Sequence, residues 1–145
     1  MHKLVPIDDI YTDQFVVGKA ISVRDIPFIQ FAKQIINDPD IRPEDTEYYK
    51  WIENLLIQHG EVWESIRTAE DITKRVEKFK GMVKSLKENG YRLDMCDPLY
   101  VRGSNIYGGL TARVWENGYK LIDGSHRLSI LIALGATEAL LTICE

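Results

Sequence analysis

Cysteine is scarce in this sequence, and basic residues do not outnumber acidic ones. The two cysteines among 145 residues, Cys96 and Cys144, are too few for the disulfide framework of a small secreted domain, and they lack the spacing of metal ligands. We expect both to be buried free thiols in or beside strands. The 18 Lys and Arg residues stand against 22 Asp and Glu residues, which gives a formal net charge of −4. This acidic balance argues against a nucleic-acid partner, which usually requires a basic stripe.

Long apolar runs are also missing. No stretch is long enough to span a bilayer, and the N-terminus turns acidic at residues 8 and 9, unlike a signal peptide. We therefore expect no membrane association and a cytoplasmic, reducing location. A length of 145 residues with 45% hydrophobic content suits a single domain over residues 1–145 with a substantial core. Nothing in the sequence indicates the oligomeric state.

Short apolar segments towards both ends of the chain predict a small sheet. The first has the character of an edge strand, because Pro6 has no N–H to donate to a neighbouring strand. Asn117-Gly118 is a strong hairpin signal between two later segments. The predicted strands cover residues 4–10, 99–102, 110–115, 119–122 and 139–144.

Helical periodicity dominates the middle of the chain. Thr68 and Asp71 form a capping box before an apolar stripe, which predicts a long helix over residues 69–88 lying on the sheet. Earlier, Asp25 is the expected N-cap of a helix with an apolar face at Phe28, Phe31, Ala32 and Ile35. A further helix is predicted over residues 44–58. The fold class is therefore α/β (α+β), a small mixed sheet with packed helices.

One segment combines a strand, a tight turn and a helix. Residues 119–122 form the strand, Asp123-Gly124 breaks it, and an apolar helical pattern runs to Gly135. His126 and Arg127 fall in the first turn of this helix, where the dipole disfavours cations. An anion bound by the free backbone N–H groups would account for them. The alternative is an ordinary turn that ends the strand and begins the helix. The side chains of His126 and Arg127 would then pair with a nearby acid such as Asp123.

The segment Ile-Asp-Gly-Ser-His-Arg-Leu at residues 122–128 resembles the turn of the ParB/sulfiredoxin-like superfamily. Asp-Pro-Leu-Tyr-Val at residues 97–101 and Leu-Val-Pro-Ile-Asp-Asp-Ile at residues 4–10 extend the likeness. It covers residues 3–17 and 69–144. Residues 22–66 have no counterpart, and we expect them to be a helical insertion that carries substrate specificity.

The resemblance implies a phosphate cradle for a nucleotide such as ATP, ADP or CTP. By this likeness Gly124, Ser125, His126 and Arg127 would bind the phosphates, with His126 also in a catalytic role. Asp123 would stand beside the transferring group or hold its Mg²⁺. Sulfiredoxin chemistry is not expected, because Ser125 occupies the position of that branch's reactive cysteine.

The resemblance leaves the activity open. In the serine-kinase branch a glutamate after the first strand acts as the base, and here Asp13 and Gln14 occupy that neighbourhood. Asp13 is the candidate base. The expectation is a nucleotide-dependent phosphotransferase of the small-molecule kinase type, or an NTPase. The alternatives are a nucleotide- or phosphometabolite-sensing module without turnover and a ParB-like DNA-associated protein.

Three further side chains are candidate substrate contacts. Tyr49 and Trp51 lie off the apolar face of their predicted helix and can stack on a base or a sugar, although packing against the main domain is the alternative. Arg113 alternates with apolar neighbours along its strand, so we expect it to face water or the mouth of a ligand site.

Overall fold

The computed structural model describes residues 2–13, 20–63, 65–90 and 110–144. Short 3-10 turns follow β1, follow β3 and precede α2. The elements are β1 (His2–Pro6), β2 (Ile10–Thr12), β3 (Ile21–Ser22), α1 (Phe28–Asn37), α2 (Glu47–His59), α3 (Ala69–Asn89), β4 (Leu110–Trp115), β5 (Gly118–Asp123), α4 (Ser125–Ala133) and β6 (Glu138–Cys144).

The six strands form one mixed sheet in the order β1-β6-β4-β5-β2-β3. The β4–β5 hairpin is antiparallel, and the Asn117-Gly118 signal marks its turn. β6 runs parallel to β4 and antiparallel to β1, while β2 runs parallel to β5 and antiparallel to β3. The mixed sheet that we expected is therefore confirmed, and β1 is an edge strand as Pro6 predicted.

One face of the sheet packs against α4. Alternate residues of the strands point to this face, as the twofold repeat of a strand requires. The residues that form the resulting core are Val5, Ile7, Ile10, Val23, Leu110, Ala112, Leu121, Leu128, Ala139, Leu141 and Ile143. We call the opposite side of the sheet the second face.

The other three helices form a layer beyond α4. The expectation that the long helix lies on the sheet is wrong, because the core to which α3 contributes contains no residue of a described strand. α3 packs against α1, α2 and α4 instead, with Phe79 in the middle of its buried stripe. Ile130 of α4 belongs to this second core. α4 therefore lies between the sheet and the helical layer.

The helix boundaries follow local capping chemistry. The predicted capping box is present: the Thr68 hydroxyl accepts a hydrogen bond from the Asp71 N–H, and the Asp71 carboxylate accepts one from the Thr68 N–H. The Thr46 hydroxyl caps α2 by accepting a hydrogen bond from the Tyr49 N–H, so this helix begins three residues later than predicted. Asp25 is not the N-cap of α1. It ends a 3-10 turn, and Pro27 occupies the N-cap position.

The expectation of a buried Cys144 is also wrong, because this free cysteine is exposed near the end of β6. It follows the buried Ile143, and successive strand side chains point to opposite faces. Cys96, Gln14 and the strand expected at 99–102 lie outside the described residues. Among the helices in the described ranges, none has the length and apolarity needed to cross a membrane.

Candidate functional site

The candidate site begins where β5 passes into α4. Gly124 is the N-cap, with φ +102° and ψ 20°, and its carbonyl oxygen accepts the first helical hydrogen bond from Leu128 N at 2.9 Å. No side chain caps the helix among the described residues. The N–H groups of a first helical turn have no intrahelical acceptor, and the positive end of the helix dipole lies there. This is the local geometry of an anion-binding turn.

Glycine is required at position 124 for two reasons. The positive φ is strained for a residue with a Cβ atom. A Cβ atom would in addition lie 2.5 Å from Leu110 Cδ2 and 3.5 Å from Arg127 Nη2. The turn is therefore packed directly against β4 and the Arg127 guanidinium. Arg127 is only 1% exposed and is the largest fully buried side chain among the described residues.

Ser125 is buried in the first turn of α4, and its carbonyl oxygen accepts a hydrogen bond from Ser129 Oγ at 2.7 Å. Ser129 is itself fully buried. This bond supplies a partner for a polar group in the core, where an unmade hydrogen bond is costly. It also ties the first turn of the helix to the second.

His126 points into the helical layer. Its ring stacks on Phe28 with a centroid separation of 4.0 Å and meets the edge of Phe79 at 5.8 Å. Its Nε2 is hydrogen-bonded to the Tyr48 hydroxyl at 3.1 Å. We call His126, Phe28, Tyr48 and Phe79 the aromatic box.

The aromatic box keeps His126 neutral. Burial, together with the positive charges of Arg75, Lys78 and Arg127, lowers the pKa of His126 to about 3. Burial also raises the pKa of Tyr48 well above its usual range. Both partners of the hydrogen bond are therefore uncharged at neutral pH, and His126 contributes no positive charge to the turn.

Asp123 ends β5 at an irregularity in the hairpin. Leu121 pairs with Ala112, but Asp123 pairs with Thr111, so that Ile122 is an extra residue on β5. Residues that pair across two strands share a face of the sheet. Asp123 is thereby placed with Thr111 on the second face, and it is partly exposed.

A second group of charged residues occupies the same face. The Lys120 ammonium contacts Asp13 Oδ2 at 2.7 Å, and Arg113 is the direct partner of Lys120 across the hairpin. The hydrogen bond from Lys120 lowers the pKa of Asp13, and the positive charge of Arg113 acts in the same direction. Arg113 is exposed, as predicted. Two predicted site residues, Asp13 and Arg113, thus meet around Lys120, which sequence reasoning missed.

The predicted substrate contacts Tyr49 and Trp51 pack against the helical layer and are partly buried there. Trp51 meets Phe28 edge-on at 5.7 Å and lies 6.0 Å from Trp63. This is the packing alternative that the sequence left open.

The side chains of residues 123, 126 and 127 therefore lie in three different surroundings. His126 faces the aromatic box, Arg127 lies in the core beside Gly124, and Asp123 lies on the second face. The described ranges contain no group of three or more His, Cys, Asp or Glu residues that could hold a metal ion. A lone carboxylate such as Asp123 fits Mg²⁺ only when substrate phosphates and water complete its oxygen shell.

Comparison with known proteins returned nothing that matches this chain, whether among family models, curated proteins or solved structures. The resemblance to the ParB/sulfiredoxin-like superfamily accordingly rests on the quoted motifs and stays a prediction. The mixed α/β architecture does not depend on it.

Proposed function

We propose that this chain is a nucleotide-binding domain that holds phosphates at the start of α4. The proposal rests on the start of α4. There Gly124 has a left-handed backbone conformation and packs against the buried guanidinium of Arg127. First-turn N–H groups without an intrahelical acceptor, with a cation nearby, are a usual means of binding a phosphate. The neutral His126 anchors the turn in this proposal and does not bind the anion.

The proposed activity is phosphoryl transfer to a small-molecule hydroxyl, or hydrolysis of the nucleotide. Such reactions depend mainly on positioning and on charge stabilisation. Asp123 would hold Mg²⁺ together with the nucleotide phosphates, which is the usual way in which proteins bind this ion. The bound ion would neutralise charge on the transferring group. The Asp123 carboxylate, which phosphates would otherwise repel, would be stabilised beside it.

A nucleotide-sensing domain without turnover is the second candidate, and one observation favours it. Asp13, the expected base, is paired with Lys120, and its pKa is lowered. A carboxylate that holds its proton less tightly is a poorer base at neutral pH. Binding would then remain while proton abstraction would be inefficient.

Binding can be tested by calorimetry with ATP, ADP and CTP in the presence of Mg²⁺. Arg127→Lys keeps the charge but removes the planar fork, and we expect roughly tenfold or greater loss of affinity. Arg67→Lys, at an exposed residue paired with Glu61, is the matched control and should bind as the wild type does. A folded Arg127→Lys protein with unchanged affinity, or a wild type that binds none of the three nucleotides, would contradict the phosphate cradle.

Turnover can be tested with Asp123→Asn, which keeps the shape of the side chain and removes its charge. If Asp123 holds the metal ion, release of ADP or phosphate should be lost, while affinity measured without Mg²⁺ stays level or improves. Full activity in the Asn variant would remove Asp123 from the reaction. Nucleotide binding without turnover by the wild type, across a panel of hydroxyl acceptors such as serine and sugars, would select the sensing domain.

A further inference from the structure

Two cations lie directly opposite each other on the second face of the sheet. Arg113 and Lys120 are paired residues of the β4–β5 hairpin. Like charges in directly opposed positions destabilise a hairpin. A sequence selected for stability alone would not favour this pair, so a compensating anion is expected beside it.

Asp13 forms an ion pair with only one of the two cations. Its carboxylate is bound to Lys120, whose side chain is 16% exposed, whereas Arg113 is exposed and forms no ion pair with any residue in the described part of the chain. Asp123 lies on the same face, but it is not within ion-pair distance of Arg113. The local arrangement is therefore two cations around one bound carboxylate.

The charged side chains line a cavity of about 280 Å³ whose other walls are Leu121 and Ile122. That volume is near the lower limit of small-molecule sites, which suits a metabolite of a few carbon atoms. Because Arg113 and Ile122 are exposed, water and salt reach the site, so we expect anion binding there to weaken with increasing ionic strength. Lys120 also lies 5.7 Å from the centre of the Trp115 ring, so the indole reports on this site.

We propose that Arg113 and Lys120 form a subsite for the oxyanion group, carboxylate or phosphate, of a small molecule. Arg113 supplies a guanidinium fork that binds an oxyanion in two places, and Lys120 supplies a point charge. Asp13 competes with the ligand for Lys120 and so weakens binding in the resting protein. The subsite uses none of residues 124–127. A test of the subsite is therefore independent of a test of the phosphate cradle.

Nuclear magnetic resonance of the indole N–H groups offers a test that locates the binding. The chain has three tryptophans. Trp51 of α2 and Trp63, which packs beside it, serve as internal references. We expect titration with inorganic phosphate or with acetate to shift the Trp115 signal and to leave the other two unchanged. The anion with the lower dissociation constant identifies the preferred group, and chloride at matched ionic strength controls for screening.

Two substitutions should change the affinity in opposite directions. Arg113→Gln should weaken binding roughly tenfold because the charged fork is lost. Asp13→Asn should tighten binding several-fold because Lys120 is released from its intramolecular competitor. Arg42→Gln, at an exposed arginine paired with Asp45, is the charge-matched control and should have no effect.

An unmoved Trp115 signal at millimolar phosphate and acetate would overturn the subsite. Equal effects of the Arg113 and Arg42 substitutions would also overturn it, because binding would then reflect net charge alone. If Asp13→Asn failed to tighten binding, the proposed competition for Lys120 would be wrong. Loss of nucleotide affinity in Arg127→Lys alone would concern the phosphate cradle and not this subsite.

Discussion

The Tyr48 hydroxyl lies 3.1 Å from Nε2 of His126, and this hydrogen bond joins α2 to the first turn of α4. The helical layer thereby contacts the proposed phosphate cradle through a side chain of the cradle itself. Tyr48 and Phe28, from the segment 22–66 that we expected to carry substrate specificity, thus contact the start of α4 through His126. The specificity role of that segment stays a prediction.

Tyr48→Phe should lower the free energy of unfolding by about 1–2 kcal/mol, since it leaves the buried His126 nitrogen without its partner. The ring contacts with Phe28 and Phe79 remain in this variant, so the effect isolates the hydroxyl. Urea denaturation gives the value. Tyr49→Phe, at the neighbouring partly buried tyrosine, should change stability by less than about 0.5 kcal/mol. Equal effects at the two positions would contradict the importance of the bond.

The aromatic box makes stability depend on pH through His126. Its pKa in the folded protein is lowered to about 3, whereas in the unfolded chain it should be near the ordinary value of about 6.5. The unfolded state therefore binds the extra proton first. The contribution of this group is fully present above pH 6.5 and is lost as the pH falls towards 3, by roughly 1.4 kcal/mol per pH unit.

This pH dependence can be measured by urea denaturation between pH 7 and pH 4.5. His126→Phe fits the aromatic surroundings and should flatten the profile in this interval, while His59→Gln at the exposed end of α2 should not. A wild-type profile that is already flat above pH 4.5 would show that His126 takes up its proton in the folded state.

Gly124 and Gly135 have nearly equal φ angles, so substitutions at the two positions can distinguish the cost of backbone strain from the cost of steric overlap. Gly124 has φ +102° and close neighbours, whereas Gly135 has φ +103° and nothing within 4 Å of an added Cβ atom. Gly135→Ala should cost about 1–2 kcal/mol from backbone strain alone. Gly124→Ala should cost a further 1–3 kcal/mol or so, because Leu110 must move. Similar losses of stability in thermal denaturation would mean that Leu110 relaxes freely.

The capping box of α3 gives a further prediction. Thr68→Ala should destabilise the fold by about 1 kcal/mol because the Asp71 N–H loses its acceptor. Thr73→Ala, which removes a hydroxyl that donates to the Ala69 carbonyl within the same helix, should have a smaller effect. Hydrogen exchange should detect faster opening of the first turn of α3 in Thr68→Ala. Unchanged exchange there would contradict a capping role.

Local signals accounted for much of the fold. The Asn117-Gly118 turn, the capping box at Thr68 and the break at Asp123-Gly124 each depend on residues close together in the sequence, and each was predictable. The buried stripes of α1 and α3 followed from helical periodicity for the same reason.

The orientations within the candidate site depend on distant residues and were not predictable. His126 contacts Tyr48, which is 78 positions away, and nothing near either residue indicates that pairing. The Lys120–Asp13 contact requires the parallel pairing of β2 with β5. A signal for Lys120 did exist, because it is a charged residue in an otherwise apolar strand. The side of the sheet that Cys144 faces depends on the register of β6, which a single sequence does not reveal.

The pairing of β1 with β6 also bears on the order of events during protein synthesis. His2 lies opposite Thr142, so β1 leaves the ribosome long before its hydrogen-bonding partner has been made. The helices α1, α2 and α3 come from one continuous stretch and can associate while the remainder is still being translated. Contacts between such distant segments form slowly, since a long intervening loop must close first. Pairing of β1 with β6, which closes this edge of the sheet, is therefore expected to be a late step in folding.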